Sequence, residues 1–466
     1  MPIMEMMEFS LTVVILAAGL GTRMRSKKAK VLHKVGGRTQ VENVVHSALK
    51  VTTPDRIFVV TGHQAETVEG VLAPLGVGFF RQTEQKGTGH ALRMGESQLA
   101  HLPGRLVVLY GDTPLLSEAT LRALLARHDE SGAAATVITT MLADPTGYGR
   151  IVLDKAGDIA AIVEQKAATP EQLAIEEINS GIYCFDAPLL WKHIGEIGTN
   201  NPAGEYYLTD MIEILRRAGH RATTLRVSDP SELMGINSRV ELAIVDRILR
   251  ERKTMELMLS GVTIEKPETV TIDAAVQVGR DTIIGPFVQL LGATTIGEDC
   301  YIGACSIVTD SQIADGVEIN PFSMVGTSVI ETGAHIGPYA RLRMENHVEA
   351  GAHIGNFVEL KKTRLGAGAK SMHLAYLGDS SIGAKSNIGA GTITCNYDGK
   401  KKSKTKVGAG AFVGSNSTLV APVEIGDAAY VAAGSVITKD VPADALAFGR
   451  SHQSNKEGYS KKIRER

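Results

Sequence analysis

A doubly wound, Rossmann-like α/β domain followed by a left-handed parallel β-helix is the fold class this sequence predicts, on three observations. From Leu11 to about Val227, short apolar runs alternate with amphipathic helical patterns, as a parallel sheet with crossover helices requires. Ser238, with Glu241 three residues on, is a capping-box pair that opens one long, charged helix from Arg239 towards Leu259. Beyond that helix an aliphatic residue recurs at every sixth position, often with glycine directly after it.

Length and composition fit this division. A chain of 466 residues exceeds one small fold and suits several compact units. With 49 Lys and Arg against 51 Asp and Glu, bulk charge favours neither nucleic acid nor an anionic membrane as the main partner. An apolar content of 44% excludes global disorder. Cys184, Cys300, Cys305 and Cys395 form no CxxC pair, which argues against a disulfide framework or a Cys-rich zinc site and suits the reducing cytoplasm. The apolar run Leu11 to Leu20 is too short to span a membrane. Residues 1–10 lack the basic region of a secretory signal and are expected to form a flexible tail.

In the first domain, expected over residues 11–238, Leu11 to Ala17 is a buried strand. Thr39 caps a helix whose Val41, Val44, Val45, Ala48 and Leu49 fall at helical spacing. Arg56 to Thr61 and Arg105 to Tyr110 are further central strands, and Ser117 caps a helix ahead of Leu121, Leu124 and Leu125. Residues 239–261 are the linker helix. The second domain, 262–466, begins where the period changes to six.

Ile272, Val278, Ile284, Leu290, Ile296, Ile302 and Val308 keep that period unbroken. It slips by one residue before Ile313, slips again before Ile330, continues to Leu360, and resumes from Val407 to Ile437. Each hexad predicts one short strand and a turn, three make a triangular coil, and stacked coils bury an aliphatic ladder that no single coil could bury alone. Between Ile388 and Val407 the repeat gives way to GAGTITCNYDGKKKSKTK, which is expected to leave the coil as a loop.

Two places carry chemistry. LAAGLGTRM, Leu16 to Met24, follows the first strand, so its glycines let backbone N–H groups approach a phosphate while Arg23 and Lys30 neutralise charge. The third glycine of GxGxxG is replaced by Met24 and no GxxxxGK[ST] occurs, leaving a phosphate loop or a structural turn as readings. Asp112 should emerge at the carboxyl edge of the sheet, where it either ligates Mg²⁺ or caps the next turn; with the Asn237 amide it would suffice as the protein's share of a magnesium site. His373 lies in KSMHLAYLGD, which breaks the hexad pattern, and is either a structural histidine or a base able to take a proton from an amine. Arg341, Arg343, Lys361, Lys362, Tyr376, Asn387 and Lys402 supply groups a sugar phosphate needs, or else a solvated charged face.

LAAGLGTRM with KVLH (Lys30 to His33), QKGTGHA (Gln85 to Ala91), LYGDTPLL (Leu109 to Leu116), PTGYGRI (Pro145 to Ile151), VEQK (Val163 to Lys166), INSGIY (Ile178 to Tyr183) and GIN (Gly235 to Asn237) resembles the sugar-nucleotide pyrophosphorylases. Joined to a hexapeptide β-helix, the chain resembles from about Leu11 to Tyr459 the bacterial bifunctional N-acetylglucosamine-1-phosphate uridyltransferases and glucosamine-1-phosphate acetyltransferases. The resemblance implies a nucleotidyltransferase domain that contacts UTP or the UDP-sugar through Leu16, Ala17, Ala18, Gly19, Lys30, Gln82, Gln85, Gly87, Thr88, Tyr110, Gly111, Asp112, Gly149, Glu164, Asn179 and Asn237. Arg23 and Lys30 would meet the triphosphate, and Asp112 and Asn237 would hold Mg²⁺. His373 would be the general base of acetyl transfer from acetyl-CoA. Arg343, Lys361, Tyr376, Asn387 and Lys402 would bind glucosamine-1-phosphate, and Ala390, Asn396, Tyr397, Ser415, Ala433 and Arg450 would meet acetyl-CoA. A cytoplasmic homotrimer whose product feeds peptidoglycan and lipid A precursors is also implied. The alternatives are a single-activity nucleotidyltransferase whose β-helix is structural or regulatory, and a non-enzymatic subunit that kept the fold. His373 and the NYDG loop have no purpose in the first, nor the glycine loop with Lys30, Asp112 and Asn237 in the second.

Overall fold

The computed structural model describes residues 11–465; the tail expected at residues 1–10 lies outside the described residues. It divides into two compact units, one up to Leu249 and one from Arg250.

The first unit is built on a 9-stranded sheet. Its central strands are β1 (Leu11–Leu16), β2 (Ile57–Thr61), β3 (Gly78–Arg81) and β4 (Arg105–Tyr110). β5 (Ala135–Met141), β6 (Arg150–Leu153), β7 (Ile159–Val163), β8 (Glu177–Asp186) and β9 (Ala222–Arg226) complete it. The main order is β9-β5-β8-β4-β1-β2-β3, with β6 and β7 paired as a flap beside β8. β1 is fully buried and pairs in parallel with β2 on one side and β4 on the other. The chain therefore reverses its direction of growth at β1, and such a switch point opens a crevice at the strands' carboxyl ends. LAAGLG and Gly111-Asp112 both emerge there. The expected caps form: Thr39 and Glu42 make a reciprocal capping box, and the Ser117 hydroxyl accepts from Thr120 N–H at 3.1 Å.

The capping box at Ser238 also forms, with Ser238 N–H donating to Glu241 Oε2 at 2.7 Å. The helix it opens, Arg239–Leu259, does not stand apart as a linker, because the division between units falls inside it. Val245 is buried with Met24, Val35, Leu115 and Ile236 of the first unit, whereas Leu257 belongs to the β-helix core.

The second unit is three parallel sheets of 11, 10 and 9 strands, each strand pairing with its counterpart one coil on. Partners such as Gln289 and Ile307 lie one 18-residue coil apart, and the slips in the hexad period are coils one residue shorter, as between Thr295 and Gln312. The aliphatics point inward without exception along the first run: Ile272, Ile284, Leu290, Ile302 and Val308 are wholly buried, with Val278 packed against the same core. The core ladder also runs through the segments that seemed to break it. Ser371 and Thr394 occupy inward positions and are buried, since a small hydroxyl fits the coil and Thr394 Oγ1 accepts from Gly378 N–H at 2.8 Å. The excursion is accordingly shorter than expected. Ile393–Cys395 is still a strand of the second sheet, and the chain leaves the coil only from Asn396, returning at Thr405, which pairs with Ser380.

Candidate active sites

In the first unit, a cavity of 230 Å³ opens at the switch point, lined by Leu16, Ala17, Ala18, Gly19, Lys30, Gln82, Gln85, Gly87, Thr88, Tyr110 and Asp112, which the sequence singles out, and by Val31, Ala91 and Glu205, which it does not. Local structure explains their convergence. Gly21 has φ 61°, and a Cβ there would lie 2.4 Å from Lys30 Cβ, so only glycine lets the loop close over that lysine. Met24, at the position of the missing third glycine, is buried and anchors the loop while its neighbour Arg23 stays exposed. Ala29 N–H donates to Gln64 Oε1 at 2.8 Å, fixing the approach to Lys30. Gly87, at φ 108°, has no room for a side chain because Tyr206 O would be 2.5 Å from its Cβ, and Leu208 N–H donates to Thr88 Oγ1 at 3.0 Å. Gly111 N–H donates to Leu16 O at 2.9 Å, joining the two strand ends.

The charged groups form one network. Lys30 Nζ is hydrogen-bonded to Asp112 Oδ2 and, at 2.7 Å, to Asn237 Oδ1, which also accepts from Arg23 at 2.8 Å. Asn237 owes its place to the helix cap, since its N–H donates to Glu241 Oε2 at 2.5 Å. A carboxylate oxygen and an amide oxygen thus face a single cation, the hard-donor set that magnesium takes beside phosphate and water, so the residues fit such an ion. Among the described residues no group of three or more His, Cys, Asp or Glu is placed to hold a metal. Burial pushes the Tyr110 phenol far above its usual range and holds the His90 imidazole below its own; Gln82 Nε2 lies 2.9 Å from His90 Nδ1.

Gly149, Glu164 and Asn179 meet where the flap joins β8. Asn179 N–H donates to Gly149 O at 2.9 Å, and a Cβ on Gly149 would sit 3.6 Å from Glu164 Oε1. Glu164 lines a second cavity, of 420 Å³, with Tyr207, Thr209, Asp210 and Glu213. Burial, and then the charge of Asp210, raise the Glu164 carboxyl above its ordinary value. Tyr207, Thr209 and Asp210 had no signal in sequence apart from the polar run EYYLTD between helices.

On the β-helix the expected residues fall on two corners and the strand face between them. Along the corner between the first and second sheets, Gly391 N–H donates to His373 O at 3.4 Å, Asn416 N–H to Ala390 O at 2.7 Å, and Gly434 N–H to Ser415 O at 2.8 Å. Arg450 Cδ lies 3.7 Å from where a Cβ of Gly434 would be. His373, Ala390, Ser415, Ala433 and Arg450 therefore climb one edge over successive coils, roughly 19 Å at the usual strand spacing. Asn387 lies on the first sheet beside this edge. Arg343, Lys361 and Tyr376 belong to strands of the second sheet. Asn396, Tyr397 and Lys402 stand at that sheet's far corner, where the loop departs and the Tyr397–Lys402 bridge closes it.

This far corner is organised by an acid that the sequence did not reveal. Asp379 accepts from Lys361 Nζ at 3.0 Å and from the Asn396 amide. Burial opposes its ionisation, yet the hydrogen bonds from Lys361 and Asn396 hold the carboxyl below its usual range; the bond to Asp379 raises Lys361 in turn. Glu359, also missed, pairs with Arg343 at 2.6 Å. Among the described residues no hydrogen bond or ion pair joins His373 to the Asn396 loop, and within one chain the residues expected to meet acetyl-CoA stand in two parts. No described helix is long and apolar enough to cross a membrane.

The comparisons agree with this division. Residues 13–169 match the MobA-like NTP transferase domain, and residues 275–310 and 404–439 match the bacterial transferase hexapeptide model. A curated relative from Solibacter usitatus, named bifunctional protein GlmU, is 62% identical over 99% of both chains. Proteins of the same name from Koribacter versatilis and Trichlorobacter lovleyi are each 48% identical, covering 97% of this chain and 97% and 98% of their own. The chain belongs to the bifunctional GlmU family.

Proposed function

We infer that this enzyme makes UDP-N-acetylglucosamine by two transfers, acetylating glucosamine-1-phosphate on the β-helix and uridylylating the product in the α/β unit. The observation that carries the reading is that one chain holds both a crevice at a switch point, with Lys30 and Asp112 in its wall, and an exposed histidine at the foot of a long edge of small residues.

In uridyl transfer, a phosphate oxygen of N-acetylglucosamine-1-phosphate attacks the α-phosphorus of UTP, a new P–O–P bond forms, and pyrophosphate departs. Such chemistry needs positioning and charge neutralisation more than a base. Lys30 and Arg23 supply fixed positive charge, and the main chain of Ala17 to Gly19 can approach the phosphates closely. Gln82, Gln85, Gly87 and Thr88 meet the uracil edge, while Gly149, Glu164 and Asn179 hold the sugar. Magnesium, held by Asp112 and Asn237, would supply further charge neutralisation at the phosphates.

In acetyl transfer, the amine of glucosamine-1-phosphate attacks the thioester carbonyl, His373 takes the amine's proton, and coenzyme A leaves as its thiolate. Arg343, Lys361, Tyr376, Asn387 and Lys402 face the sugar phosphate. The edge from Arg450 to His373 has the length of an extended pantetheine arm, and Ala390, Ser415 and Ala433 leave it room. Asn396 and Tyr397 stand across the second sheet from that edge, which favours a trimer in which a neighbouring copy's loop completes each site. A cytoplasmic setting suits these substrates.

The test supplies purified protein with acetyl-CoA and glucosamine-1-phosphate and no UTP, then separately with UTP and N-acetylglucosamine-1-phosphate. Sugar-dependent release of free thiol in the first assay and of pyrophosphate in the second is expected. Pyrophosphate without thiol would leave a uridyltransferase with a structural β-helix.

A further inference from the structure

We propose that Asn356 is a positioning residue for acetyl transfer, whose side-chain carbonyl holds the His373 imidazole in the tautomer that leaves Nε2 as the base. The proposal rests on the reading of His373 as general base and adds what orients it.

Asn356 Oδ1 lies 2.7 Å from His373 Nδ1. An amide oxygen can only accept, so Nδ1 carries the hydrogen, and the lone pair of a neutral ring is then on Nε2. The β-helix itself produces the contact. Asn356 and His373 are Cα partners in successive coils, at the ends of strands His353–Asn356 and Lys370–His373. These run two residues beyond the two-residue strands on either side, such as His335–Ile336 and Asn387–Ile388. The extension depends on Gly355, where a Cβ would lie 1.9 Å from Met372 O. The backbone closes the arrangement, for Leu374 N–H donates to Asn356 O at 3.0 Å and Gly391 N–H to His373 O at 3.4 Å, so the His373–Leu374 step is held from the coils on both sides.

A neutral amide suits this task. It fixes which nitrogen is free without placing a negative charge against the ring, which would favour the imidazolium and withdraw the base. The ring needs such fixing because it is exposed, and an exposed neutral imidazole otherwise exchanges between tautomers through water.

The experiment uses the full-length protein labelled with ¹⁵N-histidine, as wild type, Asn356→Ala, Asn356→Asp and His373→Ala, the last identifying the His373 signals by their loss. Solid-state ¹⁵N spectra of the neutral ring should show a protonated Nδ1 and a bare Nε2 in wild type. Asn356→Ala should populate the opposite tautomer and lower kcat for thiol release about tenfold or more, with KM for both substrates within about twofold. Asn356→Asp, which retains an acceptor but adds a charge that favours the imidazolium, should restore the Nδ1-protonated tautomer among the rings that stay neutral, a rescue that a merely structural defect would not show. An unchanged ¹⁵N pattern in Asn356→Ala, or an unchanged kcat, overturns the proposal. If instead His373→Ala releases thiol at the wild-type rate, the general-base reading itself fails, whatever the spectra of the Asn356 variants show.

Discussion

The two sites of this chain are assembled in different ways. In the α/β unit, one cavity gathers residues from Leu16 to Glu205, and Asn237 reaches the Lys30 network from just before the long helix. On the β-helix, residues with one expected ligand, acetyl-CoA, stand on two corners of a prism. A doubly wound sheet brings distant loops together at its switch point, whereas a solenoid repeats each corner along a line and cannot fold one edge onto another. The first architecture closes a site within one chain, and the second makes ladders that a second copy can complete.

The largest effects should separate the two sites. Asp112→Ala is expected to lower pyrophosphate release by about 10²-fold or more while thiol release stays at the wild-type rate, and His373→Ala should do the reverse. Loss of both activities in either variant would break the comparison.

Mixing variants sharpens it. Co-refolded His373→Ala and Tyr397→Ala chains should recover thiol release that neither has alone, because some sites then take His373 from one copy and the loop from another. Lys30→Ala mixed with Asp112→Ala should recover no pyrophosphate release, since that network closes within a single chain. Recovery in the second mixture, or none in the first, contradicts the assignment.

Gly21→Ala comes next. The left-handed φ and the closeness of Lys30 predict a loss of about 1–2 kcal/mol by chemical denaturation of the first transition, with pyrophosphate release falling and thiol release unchanged.

The smallest effect concerns Glu164. Its carboxyl titrates above the ordinary value because burial and then Asp210 disfavour the charge, so the folded state binds the proton more tightly than the unfolded one. Stability contributed by the neutral form is present below the unfolded-state value and lost as pH rises through the folded-state value. Glu164→Gln cannot titrate, so its Tm should match wild type at pH 4 and exceed it by about 2 °C at pH 8, as scanning calorimetry would read, while uridyl transfer weakens. A gain at pH 4 that vanishes at pH 8 would reverse the sign.

The sequence by itself determined the order of the units, the register of the aliphatic ladder, the caps at Thr39, Ser117 and Ser238, and most of the residues around the first cavity. These follow from local rules: a period of six, a hydroxyl residue just ahead of a helical pattern, a glycine loop after a buried strand. Only the tertiary structure decided that Ser371 and Thr394 continue the ladder, because a side chain small enough to be buried inside the coil looks like an interruption when side chains are read by polarity alone. It also decided that Asp379 unites Lys361 with Asn396, that Asn356 lies beneath His373, and that Tyr207 and Asp210 face Glu164. Each joins positions a full coil or more apart in the chain, and no spacing along one strand or helix carries that distance; stacking, burial and charge set it only once the chain has folded.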